Sequence, residues 1–217
     1  MKIKNTLLIS ALFIALNLFS QSDTIKLPAP QTTGGMPLME ALKNRCSTRS
    51  FDAEKSLSNQ QLSNLLWAAN GINRPETGKR TAPSAVNWQE IEIFVATKDG
   101  AFRYLPKTHA LLKLTGDDVR KDMGKQNFTA DAAVDMVFVA DYSKMNGGSN
   151  TTEFYAATDC GFVSQNVYLF CASEGLGTVV LGYIDRDKIT EKLKLGKDQK
   201  VVLSQAVGFM VGEFEEE

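Results

Sequence analysis

Arg45, Ser47 and Arg49 alternate within Arg45-Cys46-Ser47-Thr48-Arg49-Ser50-Phe51, so in an extended backbone they point to one side. Two guanidinium groups and a hydroxyl on one side suit an anionic, oxygen-rich ligand. A solvated basic turn is the competing reading. Further on, Ala82-Pro83-Ser84-Ala85-Val86-Asn87-Trp88-Gln89 places two carboxamides beside a hydroxyl. Paired donors and acceptors of that kind match the amide edge of a heterocycle, although Pro, Ser and Asn also supply plain turn chemistry. A third stretch joins Gly161-Phe162-Val163-Ser164-Gln165-Asn166 to Gly175-Leu176-Gly177-Thr178-Val179-Val180-Leu181-Gly182. Gln165 and Asn166 need partners if buried, and bridging helices would serve them as well as a ligand. Gly182 permits close backbone approach or an unusual φ.

Several other chemistries find no footing. Gly175-Leu176-Gly177 leaves a helical pattern instead of opening one, unlike a dinucleotide turn, and no phosphate loop ends in Gly-Lys-Ser or Gly-Lys-Thr. A Ser–His–acid triad would have to use His109, which reads as an exposed turn residue after Pro106 with no nucleophile elbow nearby. Carboxylates are plentiful, but none stands in a signature. Cys46, Cys160 and Cys171 are too few for a disulfide scaffold and lack metal-ligand spacing, so no metal site is expected. Chemistry here points to a bound cofactor.

The elements that must position these residues follow from the pattern of apolar side chains. Residues 36–44 read as a short helix with Leu38, Met39 and Leu42 on its apolar side. Ser58 and Gln61 form a capping box for a second helix, with Leu62, Leu65, Leu66 and Ala69 on one face and Gly71 as its stop. Trp67 is expected against that core. Residues 72–86 read as a loop. Ile91, Ile93 and Val95 alternate as in a strand, and residues 101–105 and 110–114 form a hairpin pinned by Pro106. Residues 117–123 read as a helix, and 136–140 as a buried central strand. After a Gly- and Asn-rich loop at 143–151, a long helix over 152–174 is apolar around much of its circumference. Such a helix must be buried on most sides, at the centre of a domain or at a subunit interface. A strand at 179–181, a helix capped by Asp185 and a last strand at 201–207 complete an α+β domain.

The ends read differently. Lys2 and Lys4 precede an apolar run over 7–19 and small residues at Ser20 and Ser22, as in a secretory signal peptide over 1–22. A run of 13 residues is short of the roughly 20 a membrane-spanning helix needs, so an exported, periplasmic or extracytoplasmic protein without stable membrane insertion is expected. Residues 23–35 read as a linker, 36–212 as one domain, and 213–217 as a solvated acidic tail. A formal net charge of −1 gives no field for nucleic acid or an anionic membrane.

Taken in order, the motifs resemble the nitroreductase-like FMN family, and within it the SagB-type dehydrogenase branch related to azoline-peptide oxidation. They are Arg45-x-Ser47-x-Arg49-x-Phe51, Leu65-Leu66-Trp67-Ala68-Ala69-x-Gly71, Ala82-Pro83-Ser84-Ala85, Phe102-x-Tyr104-x-Pro106, Gly161-x-x-x-Gln165-Asn166-x-x-Leu169 and Gly175-Leu176-Gly177-Thr178, closed by Gly182 and Val207-Gly208. The resemblance implies a mixed, mainly antiparallel sheet flanked by helices, and a homodimer with two FMN sites at its interface. By that resemblance Arg45 and Ser47 hold the FMN phosphate and ribityl chain, and Arg49 and Asn87 face the pyrimidine edge. Ser84 and Ala85 line the same face, and the Leu181-Gly182 backbone approaches flavin N5. The flavin would carry the chemistry, by ping-pong two-electron transfer from NAD(P)H or another donor to a small electron-poor acceptor such as a nitro compound or quinone. A non-catalytic flavin- or ligand-binding dimer is the alternative. Family members often add a C-terminal cation to the phosphate, where this chain ends in Glu213-Phe214-Glu215-Glu216-Glu217.

Overall fold

A computed structural model of the protein describes residues 23–212; the expected signal peptide at 1–22 and acidic tail at 213–217 lie outside the described residues. Nine strands form among the described residues: β1 (Thr24–Lys26), β2 (Ile72–Arg74), β3 (Lys79–Arg80), β4 (Ile91–Thr97), β5 (Gly100–Leu105), β6 (Ala110–Thr115), β7 (Val134–Asp141), β8 (Gly177–Leu181) and β9 (Gln199–Gly208). The helices are α1 (Leu38–Asn44), α2 (Asn59–Asn70), α3 (Ser149–Glu174) and α4 (Arg186–Lys192). Seven strands make one sheet in the order β1-β6-β5-β4-β7-β9-β8. Every neighbouring pair in it is antiparallel, where a mixed, mainly antiparallel sheet was expected.

Both faces of this sheet are covered. Ile91, Ile93 and Val95 of β4 join Val134, Met136 and Phe138 of β7 on the side of α2 and α3. Phe94, Ala96, Val137 and Val139 turn the other way, toward Ile189 and Leu193 around α4. Alternate residues therefore both find apolar cover, which is why the central strands read as nearly unbroken apolar runs. α2 starts as the sequence requires: the Ser58 hydroxyl accepts from the Gln61 N–H, and Gln61 Oε1 accepts from the Ser58 N–H.

α3 runs 26 residues, about 39 Å at 1.5 Å per residue. Ala156, Cys160, Val163, Val167 and Cys171 form its buried stripe, and Gly175 at φ 67° closes it by donating to the Cys171 carbonyl. Phe154, Tyr155 and Phe162 are exposed on the remaining surface, Phe154 at 64%. The single chain thus buries one stripe of a helix whose sequence calls for cover on most sides. The same holds for α1, where Ala41 is buried while Leu38, Met39 and Leu42 face outward.

Four further expectations change. The segment expected as a linker over 23–35 contains β1, which pairs with β6 at the sheet edge, and Ser63 and Asn64 of α2 bind Pro28 and Gln31 beyond it. The loop at 72–86 contains the small β2–β3 hairpin, held by Arg74 Nη2 donating to the Arg80 carbonyl. Residues 117–123 form only a short 3₁₀ turn at Arg120–Asp122, because Asp118 accepts from both the backbone and the guanidinium of Arg120 and so competes with helical hydrogen bonding. His109 is half-buried with both ring nitrogens engaged, to Tyr104 Oη at 2.9 Å and Ser63 Oγ at 2.7 Å.

Candidate functional site

Tyr168 organises one group of the expected site residues. After α1 the chain extends, and the Thr48 N–H donates to the Thr178 carbonyl, laying residues 45–51 beside β8. Gly177 makes that approach possible: a Cβ there would lie 2.6 Å from Met210 Cγ and 3.0 Å from Thr48 Cβ. Ser47 Oγ then meets Tyr168 Oη at 3.0 Å, and Tyr168 Oη accepts from the Val180 N–H at 3.0 Å. The Arg45 guanidinium sits over the Tyr168 ring, 5.3 Å from its centroid. Arg49 is exposed further along the same segment. Leu181 turns its side chain into the core, so its contribution to a site is its backbone, together with that of Gly182. A Cβ at Gly182 would meet only Leu203 Cδ2, at the ordinary distance of 3.8 Å. Nothing among the described residues demands glycine there, and the open side leaves room for a ligand close to the backbone.

Asp159 organises the other group. Its Oδ2 accepts from the Ala85 N–H at 2.8 Å. Ser84 Oγ accepts from the Gln89 N–H, Asn87 Oδ1 accepts from Gln89 Nε2, and Arg80 Nε donates to Gln89 Oε1. Val86, Asn87 and Gln89 all take positive φ, between 51° and 58°. For β-branched Val86, 83% exposed, this is a sterically costly conformation. Strain of that kind persists where surroundings enforce it, and it gathers at binding sites. Behind the loop lies Glu90, 0% exposed, with both carboxylate oxygens buried and without a hydrogen-bond partner among the described residues. Burial, and then the neighbouring Asp159, push its carboxyl up to about 7.

Nine residues separate Asp159 from Tyr168, two and a half helical turns and about 13 Å of axis. The two groups therefore occupy opposite sides of α3. Arg45, Ser47, Leu181 and Gly182 come together at one, and Ser84, Ala85 and Asn87 at the other. Sequence reasoning missed Tyr168, Asp159 and Glu90; an acid at 159 amid Ala156, Cys160 and Val163 was the available signal. Asn166 bridges helices, donating to the Ala69 carbonyl, and Gln165 is exposed. Trp67 packs beside a cavity of about 480 Å³ between residues 31–36, α2 and α3, and donates to the Ile72 carbonyl. The cysteines are free thiols. Burial pushes Cys160 up to about 12 and Cys171 well above its usual range, so neither is a thiolate nucleophile at neutral pH.

A sequence model described as Nitroreductase family matches residues 42–209. A protein of Methanocaldococcus jannaschii that goes under the name nitroreductase is 31% identical over 184 residues, covering 80% of this chain and 91% of the relative. Among solved structures, one from Ralstonia eutropha, also named a nitroreductase, superposes with a TM-score of 0.83 at 41% identity, covering 89% of this chain and 93% of the other. A Staphylococcus epidermidis protein named an NAD(P)H:FMN oxidoreductase shares the fold, with a TM-score of 0.65 at 15% identity over 87% of this chain and 94% of its own.

Proposed function

This chain belongs to the nitroreductase family, and from that premise we propose an FMN-dependent oxidoreductase that works as a homodimer and passes two electrons from NAD(P)H or another donor to a small electron-poor acceptor, such as a nitro compound or quinone. The observation that carries the proposal is the split of the site between opposite sides of α3. One chain cannot close both groups around a single ligand. A two-fold pairing brings the Tyr168 group of one copy against the Asp159 group of the other, and covers Phe154, Tyr155, Phe162 and the outward side of α1 as it does so.

The residues fit FMN. In this proposal Arg45 and Ser47 hold its phosphate and ribityl oxygens, with the Tyr168 hydroxyl fixing Ser47 and the ring fixing the guanidinium. Arg49 and Asn87 face the pyrimidine edge, Ser84 and Ala85 line that face, and the Leu181-Gly182 backbone approaches the flavin where Gly182 leaves room. When bound, FMN supplies reversible two-electron chemistry. A guanidinium near the pyrimidine favours the anionic reduced form, while Asp159 holds the Ala85 amide and with it the loop. Donor and acceptor would use the site in turn, by ping-pong turnover. The motif order supports kinship with the SagB-type branch, and the proposal does not extend to azoline oxidation.

Titrating FMN into the purified protein, with absorbance and fluorescence read for wild type, Arg45→Ala and Arg49→Ala, tests the reading. One FMN per chain, weakened by both substitutions, supports it, and light scattering reports the dimer. No binding to the dimer sinks it. Stoichiometric FMN that no donor reduces would favour a non-catalytic flavin-binding dimer. Export is a separate proposal, checked by the N-terminal mass of protein recovered outside the cytoplasm.

A further inference from the structure

β4 pairs with β7 from Ile91 onward, but its register with β5 runs only from Phe94↔Arg103 to Thr97↔Gly100. The two strands splay over Ile91, Glu92 and Ile93, the first three residues of β4, and a cavity of about 200 Å³ fills the fork. Arg80, Arg103, Lys107 and Lys144 line it, against the single carboxylate of Glu92. Glu92 is already well supplied. Its Oε1 accepts from Arg103 Nη2 and Lys144 Nζ, both at 2.7 Å, and its Oε2 accepts from Gln199 Nε2 at 2.6 Å.

Arg80 is the informative member. Its hydrogen-bond partners among the described residues are neutral: Nε donates to Gln89 Oε1 at 3.1 Å and Nη1 to the Asn70 carbonyl at 2.9 Å. Those bonds use two of the five donors of a guanidinium. Burial works against its charge, with Tyr104 and Glu92 working for it. A guanidinium drawn inward without a carboxylate of its own is costly, and Lys107 adds positive charge beyond Arg103 and Lys144, which are held by Glu92 and, for Lys144, also by Asp141 at 3.5 Å. A compact oxyanion in the fork removes both penalties, since it accepts several charge-assisted hydrogen bonds at once.

We propose that the β4–β5 fork is a binding site for a phosphate-type oxyanion, either free phosphate or the phosphoryl group of a small organic ester, held by Arg80, Arg103, Lys107 and Lys144. The site is separate from the Tyr168 group and does not rest on the flavin reading. It shares Gln89 with the strained loop at Ser84 and Asn87, which places it directly behind that loop.

Isothermal titration of inorganic phosphate into the purified full chain, with and without added FMN and at constant ionic strength set with chloride, tests the assignment. One phosphate per chain is expected, weakened at least about tenfold in Arg80→Gln and about fivefold in Lys107→Gln. Lys107 is on the exposed turn between β5 and β6, so its variant keeps the test decisive if Arg80→Gln fails to fold. Arg45→Ala, titrated in parallel without FMN, separates this site from the flavin half-site and should leave phosphate affinity unchanged. Repeating the titration with glycerol 3-phosphate distinguishes the sources: tighter binding than phosphate assigns an organic ester, equal or weaker binding assigns the free ion. Absence of saturable binding at millimolar phosphate, or binding indifferent to Lys107→Gln and lost in Arg45→Ala, would overturn the proposal.

Discussion

The two ends of the functional stretch of α3 hold a site in opposite ways. At Tyr168 the helix meets fixed cations and hydroxyls: Arg45 over the ring, Ser47 and the Val180 amide on the phenol oxygen. At Asp159 it meets carboxyl groups and a strained loop, with Asp159 accepting from Ala85 and Glu90 buried behind it. The first end keeps its charge at any physiological pH, because guanidinium groups do not titrate there. The second end changes charge within that range. The cationic end and the loop are thus governed by different chemistry on two sides of one helix, and each can be disturbed without the other.

The largest effect should come from the cationic end. Arg45→Ala is expected to weaken FMN by about 10- to 100-fold, the worth of a charge-assisted contact of about 1.5–3 kcal/mol. The loss, read by fluorescence titration, should be the same at pH 6 and pH 8. A loss that grew with pH would break the distinction between the two ends. Next in size is Tyr168→Phe. The Val180 amide loses its acceptor and Ser47 its neighbour, at a cost of about 1–3 kcal/mol if the amide stays dry. Urea denaturation with an unchanged m-value should show it, and FMN affinity should fall by less than in Arg45→Ala.

At the acidic end, the folded state holds Glu90 protonated up to about pH 7, whereas the unfolded chain releases the proton near 4.5. A raised carboxyl contributes stability that is complete below the unfolded value and is lost as pH rises through the folded one. Wild type should therefore lose stability between about pH 4.5 and 7, and Glu90→Gln should flatten that limb by about 1–2 kcal/mol. Asp135, fully buried in β7 without a hydrogen-bond partner among the described residues, is pushed in the same direction by burial. The measurement is cleanest in an Asp135→Asn background. An unchanged slope on adding Glu90→Gln would remove the proton-dependent half of the comparison.

How much of this was legible depends on the range of the contacts. The capping box of α2, the central strands and the stripe of α3 are written in local periodicity, and the structure keeps them. Arg45 and Ser47 announce themselves by type and spacing. Tyr168, Asp159 and Glu90 do not, because their meaning comes from partners far along the chain: Ser47 is 121 residues from Tyr168, and Ala85 is 74 from Asp159. β1 hides for another reason. Its three residues are exposed, so the strand rests on backbone pairing with β6 and carries no apolar pattern. The outward side chains of α1 satisfy the helical pattern yet find no cover within one chain, so the sequence showed which face is apolar but not what it meets.

The smallest expected effect separates the acid response of the sheet edge from that of α3. The Tyr104 hydroxyl donates to His109 Nδ1 when the Nε2–H of the ring is directed at Ser63, and Ser63 in turn donates to the Pro28 carbonyl. That relay requires a neutral imidazole. Burial lowers the pKa of His109, partly offset by the nearby Pro28 carbonyl. A lowered imidazole contributes stability present above the unfolded value of 6.5 and lost as pH falls through the folded one. Its sign is opposite to that of Glu90, so one pH scan holds both. The Leu27 amide, which donates to the His109 carbonyl, should exchange its hydrogen faster relative to its intrinsic rate as pH drops from 7 to 5, while amides of β7 stay protected. If β7 opened in step with Leu27, the acid limb would belong to the whole domain instead of the edge, and His109 could no longer be told apart from the carboxyl groups beside α3.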